Sequence, residues 1–476
     1  MSAAAPATAT SVAPPAEEAQ AALLGQAPAS VAGPLDGSPG VKLPPPVGVP
    51  RALQAIRVNT RQASFMLRAR REHGEVFRMF GPIGEDVIVT SHPDHVRSLF
   101  TADPALAPSL TGESPLRPIV GPNSVLTLLG ADHMRQRKLL LPSFHGEAVE
   151  RYTAMIAEAA EREIDRWPIG EPFELGPAMQ AITLDVIMSG IFGVEGVPAQ
   201  GTPERDLREA IRNAVRVSGR PINQLLELLN IGRREPTRLG RRFVESLDRP
   251  LYAAIAARRA EGEVQGRNDV FSLLLESRYE DGQAMSDQEL RDELLTLVLA
   301  GHDTTANSLS WAFERLLRNA GPYERLREEL RSGDGAAYLE AVINETMRSR
   351  PVIPLIGRRA KVPWQLGQWT LPADTPILIS ILLVHHREDL YPRPFEFLPE
   401  RFLGVKPGTY TWIPFGGGIR RCLGATLAMA EQRVVLAAIA RRTDMVAPDP
   451  AAELPRHRNV TMVPAHRTRV ILQSRS

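Results

Sequence analysis

One cysteine stands in a chain of 476 residues, within Phe415-Gly416-Gly417-Gly418-Ile419-Arg420-Arg421-Cys422-Leu423-Gly424. Three consecutive glycines make a turn that admits positive φ and lets backbone approach a flat or bulky partner. The residues after Gly424 read as a helix to about Arg442, which puts the cysteine at a helix mouth. Amide hydrogens there, with the helix dipole, favour the thiolate over the thiol. Arg420 can supply positive charge to an acidic group. A single cysteine excludes an internal disulfide framework and any multi-cysteine zinc or iron–sulfur site. A free cysteine in isolation is most often a small buried hydrophobe. These neighbours reverse that expectation.

The remaining composition sets outer bounds. With 56 basic against 55 acidic side chains the formal charge is +1, so no bulk field would attract nucleic acid. The first 50 residues hold thirteen alanines, ten prolines, four charges and no aromatic residue. Such a segment buries too little apolar area to offset its ordering entropy, so residues 1–42 read as a disordered tail before a single domain over 43–476. It is no secretory signal, because the first basic residue is Lys42 and no apolar core follows. No transmembrane segment is expected, since Leu294 to Ala300 runs straight into His302-Asp303-Thr304-Thr305. A cytoplasmic protein follows from these readings.

The pattern is mainly α with a smaller β-rich part, an α+β chain. Val76 to Phe80 and Asp86 to Thr90 read as two strands around Gly81-Pro82-Ile83-Gly84. Helical periodicity covers about Gln136 to Trp167, Met179 to Ile191, Asp206 to Leu228 and Leu251 to Glu261. Ser286-Asp287-Gln288-Glu289 is a capping box that opens a pattern running to about Arg318. At about 1.5 Å per residue that helix is roughly 45–50 Å long. Another helix, Ala336 to Arg350, stops at Pro351, which has no amide hydrogen to donate.

The cysteine loop resembles the haem-binding signature of the cytochrome P-450 superfamily: Phe, two residues, Gly, one, Arg, one, Cys, one, Gly. Phe415, Gly418, Arg420, Cys422 and Gly424 fill its five fixed positions. The resemblance implies Cys422 as thiolate ligand of a haem b iron, because sulfur donation favours O–O cleavage. It also implies that haem lies between the long central helix and the helix after the cysteine loop.

Further stretches fit the same family in order. Glu345-Thr346-Met347-Arg348, alone no more than a helical acid–base pair, is similar to the family's Glu-x-x-Arg motif, and Arg401 in Pro399-Glu400-Arg401-Phe402 is its companion. The three would form a buried structural network, tolerable only when every charge is paired. Ala300-Gly301-His302-Asp303-Thr304-Thr305 puts helix-weakening residues mid-helix, which marks either a helix crossing or a site. It is similar to the family's distal motif. By that likeness Ala300 and Gly301 lie against the haem, the Thr304 hydroxyl takes part in oxygen activation and Asp303 helps deliver protons. His302 fills the variable position as an incidental helix residue. His133 and Arg137, four apart on one helical face, resemble the pair that binds the haem propionates, with Arg420 as a third partner. Arg358 is the fourth, with Arg359 the alternative.

The resemblance implies monooxygenation of a lipophilic small molecule such as a fatty acid, steroid or terpenoid, using O2. Separate ferredoxin and ferredoxin reductase proteins would bring the electrons to a monomer, with Arg135, Arg137, Lys138 and Arg421 facing the acidic partner. Pocket walls would come from Leu110 to Leu126, Ala300 with Thr304, and Val352 to Leu355. A peroxide-driven peroxygenase or isomerase, and a non-catalytic haem sensor, are the competing classes. The first would not need Asp303 and Thr304, and the second would close the iron with another side chain.

Overall fold

The structure, a computed structural model, describes residues 24–476 apart from 82–83, 145, 195–197, 219–229, 231–232, 234, 263–266 and 334. Among these, the helices of nine residues or more are α1 (Arg51–His73), α2 (Pro93–Thr101), α3 (Gly130–Leu140), α4 (Glu147–Ile164), α5 (Leu175–Phe192) and α6 (Pro203–Ser218). The set continues with α7 (Arg238–Ala260), α8 (Asp287–Leu316), α9 (Ala320–Ser332), α10 (Ala337–Ser349) and α11 (Ala425–Arg442). The capping box forms as expected: the Glu289 amide donates to Ser286 Oγ at 3.2 Å and the Ser286 amide to Glu289 Oε2 at 2.8 Å. That cap starts α8, which runs for 30 residues through the centre of the protein.

The core forms where α4, α5, α8, α10 and α11 bring their apolar faces together. Ile156, Met179, Leu309, Phe313, Ile343 and Leu436 all lose their solvent there. α5 is the one described helix long and apolar enough to cross a membrane, and most of it is buried against this core.

The β-rich part holds β2 (Val76–Phe80), β3 (Asp86–Thr90), β5 (Leu355–Ala360) and β8 (Thr375–Ser380), in the order β2-β3-β8-β5. The β2–β3 hairpin has the expected bounds, although Pro82 and Ile83 of its turn lie outside the described residues. A further sheet contains β1 (Ala32–Pro34), β6 (Trp364–Leu366) and β7 (Trp369–Leu371). β4 (Pro172–Glu174), β12 (Arg469–Arg475) and β9 (Thr443–Val446) make another, and β10 (Pro455–Arg458) pairs with β11 (Thr461–Pro464).

Two expectations are corrected here. Residues 24–42, read as part of a disordered tail, are ordered, while residues 1–23 lie outside the described part. β1 pairs antiparallel with β6, the Gly25 amide donates to Leu390 O at 2.8 Å, and Ser30 Oγ meets His95 Nε2 at 2.9 Å. An edge strand borrows its hydrogen bonds and apolar cover from the sheet it joins, so poverty in apolar residues did not prevent order. The helix expected over Gln136 to Trp167 is two helices. Pro142 supplies no amide hydrogen and Gly146 turns left-handed at φ 58°, which separates α3 from α4. The last part of the helix expected over Asp206 to Leu228 lies outside the described residues beyond Ser218.

Candidate active site

α8 is buried from Leu290 to Thr296 and from Thr305 to Leu316, and it opens between them. Ala300 is exposed, Gly301, Asp303 and Thr304 are partly so, and His302 is buried. Ala300 and Thr304 share one face of the helix, since the Thr304 hydroxyl donates to Ala300 O at 2.8 Å. Gly301 faces elsewhere: a Cβ there would come within 2.7 Å of Ile187 Cδ1 on α5. Close packing of α5 on α8 is thus one reason for glycine at 301. His302 belongs to the same crossing, its carbonyl accepting from Thr183 Oγ1 at 3.0 Å.

Asp303 is committed to neighbours away from Thr304. Its Oδ1 accepts from Arg458 at 2.5 Å and from Gln180 at 2.9 Å, and its Oδ2 from Asn307 at 3.1 Å. Burial pushes this carboxyl up, but Arg458, His302 and the hydrogen bonds outweigh burial and hold it below the usual carboxylate range.

The cysteine loop lies between β-rich part and α11. Cys422 is solvent-exposed, at the end of the glycine-rich loop. Burial pushes this thiol up, and the Gly424 amide, Arg421 and Arg137 offset only part of the rise. Burial thus outweighs the lowering expected at the helix mouth, where the Gly424 amide favours the thiolate. Among the described residues no three His, Cys, Asp or Glu side chains gather as metal ligands. A metal at Cys422 must then bring most of its own ligands, as iron in a porphyrin does.

The glycines have a protein reason as well as a chemical one. Gly416 and Gly418 hold φ of 66° and 62°. A Cβ on Gly417 would lie 2.2 Å from the Phe100 ring, and one on Gly418 would lie 2.1 Å from Phe100 O. At Gly424 a Cβ would meet nothing within 4 Å, so protein packing does not demand glycine there. Phe415 accepts the Cys422 amide through its carbonyl at 2.9 Å and sets its ring edge-on to Trp412.

Four basic side chains gather beside this loop. His133 is buried, its Nδ1 has no hydrogen-bond partner, and it is pushed down to about 3 by burial and then by Arg420, Arg137 and Arg358. Arg420 is lowered to about 10 by burial, then by Arg358 and Arg137. Arg358 is lowered to about 10 by burial and donates only to the carbonyl of its neighbour Gly357. Among the described residues no carboxylate pairs with Arg137, Arg358 or Arg420. Three guanidiniums and a neutral imidazole beside one another fit a partner with two carboxylates. Arg359 points the other way along β5, to Glu85 at 2.6 Å and Glu113 at 2.9 Å.

Glu345, Arg348 and Arg401 are fully buried. Arg348 donates to both Glu345 oxygens, at 2.6 and 2.8 Å, and to His385 O and Pro394 O at 2.8 and 3.0 Å. Arg401 reaches Glu345 Oε1 at 3.4 Å, and the Leu398 amide reaches the same oxygen at 2.9 Å. The network leads directly to the cysteine loop, because His385 Nε2 accepts the Ile413 amide at 2.9 Å. Tyr391 OH donates to Thr411 O at 3.0 Å and Trp412 Nε1 to Asn344 O at 3.1 Å. Sequence reasoning missed these three side chains and Phe100. The buried His385-His386 pair and the sparse aromatic residues were the signal available.

Of the basic residues expected to face a redox partner, Arg135 pairs with Asp281 at 2.8 Å and Lys138 with Glu280 at 2.7 Å. The free positive charge on that side is thereby reduced.

The family model described as Cytochrome P450 matches residues 43–471. The chain is 37% identical over 448 residues to "Putative cytochrome P450 137" of Mycobacterium tuberculosis (strain CDC 1551 / Oshkosh), covering 90% of each. It is 36% identical to "Putative cytochrome P450 138" of Mycobacterium bovis (strain ATCC BAA-935 / AF2122/97), covering 92% of this chain and 98% of that one. Its fold is similar to that of the solved "Retinoic acid bound cyanobacterial CYP120A1", with a TM-score of 0.74 and 24% identity over 91% of this chain and 100% of the other.

Proposed function

The chain belongs to the cytochrome P450 family and is a haem-thiolate monooxygenase, and from that premise we propose that it places one oxygen atom of O2 into a lipophilic small molecule. Haem b is the cofactor in this reading, and a ferredoxin with its reductase supplies electrons in the cytoplasm. The carrying observation is that Cys422 stands exposed beside a basic cluster that, among the described residues, has no carboxylate of its own. Cys422 would hold the iron, and His133, Arg137, Arg358 and Arg420 would hold the propionates. When bound, the haem supplies the redox chemistry of oxygen activation.

The protein's own residues then do three things. Glu345, Arg348 and Arg401 fix the segment that leads into the cysteine loop. The Thr304 hydroxyl spends its hydrogen on Ala300 O, so its oxygen lone pairs are free to accept a hydrogen bond. Asp303, held ionised, would exchange protons at the open stretch of α8 when its ion pair with Arg458 opens. The wall expected from Leu110 to Leu126 and Val352 to Leu355 is mainly apolar, which suits a lipophilic substrate.

Cys422→Ser is the test. The variant should fold, and its reduced carbonyl complex should lack the Soret band that gives the family its name. A variant that keeps this band would remove sulfur from the iron.

A further inference from the structure

Residues 121–128 fold into a closed strap between α8 and the cysteine loop. Gly121 enters it at φ 95°, and a Cβ there would lie 2.0 Å from Asp292 Oδ1, so the chain rests directly on that carboxylate. The strap closes on itself: the Thr127 and Leu128 amides donate to Ser124 O at 2.9 Å, and Thr127 Oγ1 donates to Gly121 O at 3.1 Å.

One side of the strap is tied to α8. Asn123 donates to Asp292 Oδ2 from its amide at 2.9 Å and from Nδ2 at 3.0 Å. The Val125 amide donates to Glu293 Oε1 at 2.7 Å, and Thr296 Oγ1 donates to Ser124 Oγ at 2.7 Å. The other side offers carbonyls to the cysteine loop. Arg420 Nη1 donates to Val125 O at 3.2 Å, and its Nη2 donates to Leu128 O. With no carboxylate to orient it, this guanidinium takes its direction from those carbonyls.

We propose that Asp292 and Glu293 are positioning residues for Arg420, acting through the strap at 121–128. A surface loop would not need two buried acids to hold three amide groups. Burial raises both carboxyls, Glu293 to about 8. Glu293 Oε2 has no hydrogen-bond partner, while Oε1 accepts from the Val125 amide. A glutamine reproduces that acceptor and an alanine does not. The consequence for the cofactor rests on the reading of Arg420 as a propionate partner; the anchoring of the strap does not.

Hydrogen exchange on the full chain, together with haem transfer to apomyoglobin, tests the assignment. Glu293→Ala should speed exchange at the strap amides by about tenfold or more and accelerate haem loss, whereas Glu293→Gln should stay within about twofold on both. In an Arg420→Ala background, Glu293→Ala should add nothing to haem loss. Unchanged exchange in Glu293→Ala overturns the anchoring. Faster exchange with unchanged haem loss, or additive loss in the double variant, overturns the link to Arg420. Protein that never takes up haem defeats the proposed function and leaves the exchange result to decide the anchoring. If Glu293→Ala does not fold, Asn123→Ala removes the side-chain link from the strap to Asp292. Faster exchange confined to the strap then supports the proposal, and none overturns it.

Discussion

Arg458, on the β10–β11 hairpin, donates to Asp303 in the middle of α8 at 2.5 Å and is the strongest single influence holding that carboxyl ionised against burial. A carboxyl lowered in the folded protein stabilises it above the unfolded range, about 3.9, and this contribution disappears as pH falls through the folded value. Arg458→Gln should therefore cost about 1–3 kcal/mol near neutral pH, and the difference from the parent should shrink in acid. Denaturant unfolding followed across pH measures this. A difference independent of pH would mean that Asp303 is not the group concerned.

Thr304→Ala removes an acceptor from the open face of α8 and replaces a poor helix former with the best one, so stability should change by less than about 1 kcal/mol. Coupling should suffer instead: more hydrogen peroxide and less product per NADPH, with Thr304→Ser restoring much of the parent ratio. Product and peroxide counted against NADPH consumed decide it. Undiminished coupling in the alanine variant would take Thr304 out of the oxygen step.

Gly417 and Gly418 both press on Phe100, but on different parts of it. A Cβ at 417 meets the ring, while one at 418 meets the carbonyl and also sits at positive φ. Gly417→Ala and Gly418→Ala should each destabilise by about 1–3 kcal/mol. Adding Phe100→Ala should relieve the clash at 417 and leave that at 418. Thermal unfolding of the two double variants checks this, and equal relief would place the crowding elsewhere.

His95 and His385 are pushed down to about 3, chiefly by burial, so both are neutral when folded and take up protons on unfolding below about 6.5. Stability from this source is complete above the unfolded value and lost as pH falls toward the folded one. The melting temperature should decline steadily from about pH 6.5 downward, and His385→Gln, which can still accept from the Ile413 amide, should flatten part of that slope. An identical slope in that variant would mean that His385 binds its proton equally in the folded and unfolded states.

Features with local causes were legible in the sequence. The Ser286–Glu289 cap, the β2–β3 hairpin and the stop before Pro351 follow from nearest neighbours, and the motif around Cys422 identified the family without the fold. Tertiary structure decided what depends on burial and on partners far apart in the chain. It ordered residues 24–42 by giving them a sheet edge, turned Arg358 inward and Arg359 toward Glu85 and Glu113, and set Gly301 against Ile187. It also raised the Cys422 thiol where the helix mouth alone would have lowered it. Desolvation and long-range pairing are properties of the packed interior, and no window of sequence contains them.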